Sequence, residues 1–167
     1  MTVNYSGSKE TEGVVRVSRE ILEKQEGDTM NQFENLTKYI PRLEDDNVGN
    51  WVIDRENDGT PEHPIQAPYV SYSEMVYNFI DDVHDFEEKN KDFELPRYRE
   101  ILEKNGLEWS LKSMKEADVS SLDAQCVMAL IMGAVRAERF CDGALLGFFK
   151  NGSIKKWLKR LNEIDAK

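Results

Sequence analysis

The chain has 167 residues, 32 acidic against 22 basic, giving a formal net charge of −10, and 40% of it is hydrophobic. That length and apolar content suit one domain with a real core, while the longest uncharged apolar run, Cys126 to Val135, is too short to span a bilayer. Two cysteines exclude a disulfide framework, and the polar start from Met1 to Glu12 lacks the apolar stretch of a secretory signal, so a soluble cytoplasmic protein is expected.

Met1 to about Thr11 reads as a disordered lead-in, and Val14, Val17 and Ile21 make a weak helical pattern before the break at Gly27–Asp28. Residues 1–29 are therefore expected to be an N-terminal extension, partly disordered or one short helix, with 30–167 as a single helical domain. Phe33, Leu36, Tyr39 and Ile40 follow helical spacing up to Pro41, which removes a backbone donor and stops or kinks the helix. Residues 44–70 are the least helical part. The apolar run Trp51–Ile53 and a second run near Ile65–Val70, with Pro68 confining it to an edge, read either as a minor β-hairpin near 51–70 or as an ordered loop.

Ser71 to Glu74 has the form of a capping box. The helix it predicts carries Met75, Val76, Phe79, Ile80, Val83 and Phe86 on one stripe, with Tyr77, Asp81, His84, Asp85 and Glu88 opposite. Pro96 suits the first turn of the next helix, with Gly106 just past its end, and Leu107–Met114 reads as another short one. Ser120 or Ser121 is the expected cap of the most apolar element, 122–141, whose centre is apolar all round and so predicts the buried axis of the fold. Cys126 and Cys141 would lie about four turns apart on that helix, both as packing residues. Asp142–Gly143 marks a bend before a short helix from Ala144. Ser153 is the expected cap of a last helix with Ile154, Trp157, Leu158, Leu161 and Ile164 inside and Lys155, Lys156, Lys159 and Arg160 outside. The expected fold is mostly α, one compact helical domain packed around 122–141.

Charge is unevenly placed. Residues 44–94 hold fifteen acids against Arg55, Lys89 and Lys91, a net of −12, whereas 150–167 hold six bases and two acids, a net of +4. A field as negative as that of 44–94 repels phosphate backbones, which argues against direct nucleic-acid binding. It suits either a solubilising face or a surface for a basic protein partner, with Asp81, Asp82, Asp85 and Glu88 on the helix and Asp54, Glu56 and Asp58 in the preceding loop as its residues.

The chain has no Walker loop, dinucleotide glycine fingerprint, nucleophile elbow or HExxH, and only two histidines. Asp81, His84, Asp85 and Glu88 share a helix face but lack the ligands a second helix would supply, so that face reads as the wet side and not as a metal site. The loop DRENDGTPEH (54–63) has the acids of a calcium loop, yet Ile65 stands at the twelfth position where a bidentate Glu is needed. It reads as a loop of Asx-turns. Arg136, Glu138, Arg139 and Asp142 end the apolar helix. Structurally they read as a paired network, Arg139 with Asp142, and functionally as a small polar pocket that grips an anion.

The blocks WVIDRENDGTPEHPIQ (51–66), SLDAQC (121–126) and GAVRAERFCDGALL (133–146) resemble an uncharacterised family of small bacterial proteins. The resemblance covers about 31–165 and implies no catalytic residue, because that family has no assigned activity. In composition alone, size and acidity are similar to those of small inhibitors encoded on mobile elements, the anti-CRISPR proteins among them. The resulting expectation is a non-enzymatic acidic binding protein, possessing no metal or cofactor, that engages a basic partner such as a nucleic-acid-processing enzyme. The alternative is a ligand-binding or enzymatic domain with its pocket at Arg136, Glu138, Arg139 and Asp142. A third reading, a structural or homo-oligomeric module, would be marked by apolar surface left over at Trp51, Tyr69 or Trp109.

Overall fold

The computed structural model describes residues 31–45 and 47–167, so the expected extension over 1–29 lies outside the described residues. Phe33–Lys167 form one compact, mostly α-helical unit with a small two-stranded antiparallel sheet. In chain order the elements are α1 (Glu34–Thr37), α2 (Arg42–Asp45), β1 (Gly49–Val52), β2 (Tyr69–Tyr72), α3 (Glu74–Lys89), α4 (Tyr98–Lys104), α5 (Leu111–Glu116), α6 (Ala124–Ala137), α7 (Ala144–Lys150) and α8 (Ser153–Asp165). Two 3-10 turns, Lys91–Phe93 and Leu95–Arg97, lead into α4 and flank Glu94, the one non-glycine among the described residues with positive φ.

The axis is α6. From Cys126 to Met132 every residue is fully enclosed, because the run has no polar face to offer solvent. It packs most extensively on α4, then on α8 and α7. Phe33, Leu36, Met75, Val76, Phe79, Val83, Trp157, Leu158 and Leu161 complete the core around it. The helix is shorter than 122–141. Asp123 is its N-cap and accepts from the Cys126 amide at 2.8 Å, in place of Ser120 or Ser121, and the chain leaves the helix after Ala137. Cys141 therefore lies beyond the helix and is exposed, against the expectation of packing, while Cys126 is buried, with its thiol pushed up to about 11 by burial.

The hairpin exists, with bounds displaced toward its ends. β1 and β2 pair with Trp51 opposite Val70 and Val52 opposite Tyr69, and β2 begins just after Pro68, which has no donor to give a ladder. Because side chains alternate, Trp51 and Tyr72 face the domain and Val52 and Tyr69 face out. Gly143, at φ +83, leaves room for the Trp51 indole, and a Cβ there would collide with the ring. The capping box is overturned: Ser71 sits in β2 opposite Asn50, and Ser73 is the N-cap of α3, without a side-chain capping bond. Likewise Gly152, at φ +83, and not Ser153, is the N-cap of α8.

Candidate functional site

Helix α3 turns its apolar stripe inward and presents Tyr77, Asp81, Asp85 and Glu88 to solvent, at spacings of four, four and three along one face. Tyr77 is 54% exposed and meets Tyr72 of the hairpin edge to face, with centroids 6.3 Å apart. Asp85 faces Lys89 at 3.7 Å, with both side chains largely solvated. Asp82 is different. It accepts from the buried Tyr39 hydroxyl at 2.6 Å and pairs with Lys38 at 2.8 Å, so it fastens α3 to the segment after α1. Burial, then the bond to Asp82, raises the Tyr39 phenol. His84 approaches Glu87 at 3.3 Å, and Glu87 also meets Arg136 of α6 at 3.6 Å. Sequence spacing did not single out Glu87, whose guanidinium partner Arg136 comes from another helix.

In the loop, Asp54 accepts from the amides of Glu56, Asn57 and Gln66 and from the Asn57 side chain, at 2.8–3.1 Å. The Gln66 amide, with the Asn57 and Glu56 donors adding to it, holds that carboxyl well below the usual carboxylate range. Asp58 accepts from the Thr60 amide and hydroxyl, which lowers it in the same way. Both aspartates therefore hold their own loop, Asp54 with both oxygens and Asp58 with one, through Asx-turns such as the loop's composition predicts and, for Asp54, through the Gln66 amide as well. Glu56 remains exposed.

The four residues after the apolar helix do not act as one group. Arg136 turns to Glu87, while Glu138 accepts from the amides of Gly143 at 3.0 Å and Leu145 at 2.9 Å, holding the bend and the first turn of α7. Tyr72 joins this arrangement. Its hydroxyl accepts from the Leu146 amide at 3.0 Å, and burial, then the Glu138 carboxylate, raises its phenol. Arg139 and Asp142 are exposed, and among the described residues no ion pair joins them, contrary to the expected pairing. The turn after Ala137 takes both off the helix face that would have set them three apart.

Apolar exposure concentrates in the same acidic segment. Trp51, Val52, Ile53, Ile65, Tyr69 and Tyr77 are all exposed, and outside 44–94 only Leu111 and Phe140 join them among the described residues. Trp109, expected as leftover surface, is half-buried. Its indole donates to the Gly133 carbonyl at 3.1 Å and lies under the Arg99 guanidinium, 3.8 Å from ring centroid to cation.

Among the described residues no three His, Cys, Asp or Glu side chains converge as a metal ion would require, and no helix is long and apolar enough to cross a membrane. The model of a family of unknown function (DUF6508) matches residues 28–167. No curated protein and no solved structure matches the chain.

Proposed function

The chain belongs to that family, and from this premise we propose that it is a non-enzymatic acidic binding protein that engages a basic protein partner. The observation that carries the reading is the α3 stripe, an exposed tyrosine followed by Asp81, Asp85 and Glu88, none of which the fold needs for its core. Tyrosine supplies contact area at small entropic cost and is favoured at the centre of interfaces. The carboxylates around it steer a cationic surface and reject anionic ones. The outward pair Val52 and Tyr69, with Ile53 and Ile65, adds apolar area within the same acidic segment. A partner whose basic surface ordinarily meets nucleic acid is the kind this charge fits, and its obstruction would make the protein an inhibitor.

The test is affinity capture from the organism that encodes the chain, using wild type, Asp81→Asn/Asp85→Asn/Glu88→Gln, and Tyr77→Ala. Asp82 is left intact because it holds Tyr39. The reading expects a basic protein retained by wild type, depleted by both variants, with unchanged thermal melting. Equal retention by all three forms would reduce the acidic stripe to a solubility device.

A further inference from the structure

The last helix carries a feature of opposite sign. Lys155, Lys156, Lys159 and Arg160 of α8 line an open groove of about 620 Å³, whose other wall is Ala117–Ser120. Their order places Lys155 with Lys159, and Lys156 with Arg160, four residues apart, so two like-charged pairs crowd one helix face and weaken it unless an anion offsets them. Two of these cations are fixed by neutral oxygens. Lys156 Nζ donates to the carbonyls of Ala117 at 2.9 Å and Lys115 at 3.3 Å, which leaves one of its three protons. Arg160 donates from Nε and Nη2 to the Leu122 carbonyl and from Nη1 to Glu163, which leaves two of its five. Lys159 forms no hydrogen bond or ion pair among the described residues and reaches Glu44 only as a longer-range charge. Lys155 is paired with Glu44, which stands outside the lining, and the acids of the lining are Asp118 and Glu163, so four cations meet three carboxylates and one positive charge is left over.

We infer that this groove binds a phosphate-bearing small molecule. The oriented donors of Lys156 and Arg160 would set the phosphate, the exposed Lys159 ammonium would close on it, and Ala117, Val119 and Gly152 give its organic body an uncharged wall. The groove volume lies within the range of small-ligand sites, about 300–1,000 Å³. The site is separate from the α3 stripe and stands or falls independently of the proposed protein partner.

The experiment is calorimetric titration of the full chain with inorganic pyrophosphate at low salt, beside citrate as a carboxylate anion of comparable charge. Wild type is expected to bind pyrophosphate saturably, and Lys159→Gln, which removes no contact that holds the fold, to bind roughly tenfold more weakly, a change of about 1.4 kcal/mol. Lys112→Gln, an exposed lysine of α5 outside the groove, is expected to bind as wild type does. As a second readout, pyrophosphate should raise the melting temperature of wild type and of Lys112→Gln more than that of Lys159→Gln. The inference is overturned by absence of saturable binding up to about 1 mM, by equal weakening in Lys112→Gln, or by citrate binding as tightly as pyrophosphate.

Discussion

Glu138 and Arg139 are neighbours in the chain with opposite consequences. Glu138 accepts two amides at the start of α7, and truncation leaves those donors without a partner, whereas Arg139 is exposed and unpaired among the described residues. Urea unfolding should therefore show Glu138→Ala destabilised by about 1–3 kcal/mol and Arg139→Ala by under about 0.5 kcal/mol. The reverse order would mean that Arg139 is the buried partner that its spacing to Asp142 suggests. Tyrosines 39 and 72 set the alkaline limit. Each phenol is raised above its ordinary value of 10.0, by burial first and then by Asp82 or Glu138. Their contribution to stability is accordingly complete below the unfolded value and is lost as pH rises through the folded one. The unfolding free energy should fall from about pH 9 upward, and Tyr72→Phe should show a shallower fall. A flat profile into strong alkali would place both phenols in water. None of these partnerships was legible from sequence: Glu138, Asp82 and Tyr72 contact residues 5 to 74 positions away, and only short-range spacing can be read from a chain.

At the scale of elements, legibility followed the strength of the hydrophobic pattern. The inner faces of α3 and α8 and the all-round apolarity of α6 match the buried residues, since a stripe at helical spacing has few other ways to leave water. Ends were read less well. A Ser-x-x-Glu motif marks a helix start only when its serine is not taken by a strand, and Ser71 is, while Gly152 with positive φ opens α8 where a serine follows. The axis itself makes the sharpest element-level prediction. Met128→Asp or Leu130→Asp puts a charge at a fully enclosed position of α6 with no cation beside it, so neither variant should show a cooperative thermal transition. A soluble variant that melts as wild type does would show that α6 is not the axis.

For the whole molecule, charge asymmetry was the readable part and its use was not. The −12 of residues 44–94 and the +4 of 150–167 are plain in the chain, but only the fold separates acids that close loops or fix tyrosines, such as Asp54, Asp58 and Asp82, from those left to solvent. It also shows that the basic residues of α8 line a groove and not merely an outer face. Under the proposed reading, the solvated row on α3 acts through long-range attraction and hence through the rate of encounter. The most direct measurement is the association rate constant of wild type and of Asp81→Asn/Asp85→Asn/Glu88→Gln with the captured basic partner, across a salt series. Exposed charges are screened beyond about 8 Å at physiological ionic strength. Wild type should therefore associate several-fold faster than the variant at low salt, the two should converge as salt rises, and dissociation should change little. Equal association rates at low salt would contradict the claim that the acidic stripe recognises a basic partner.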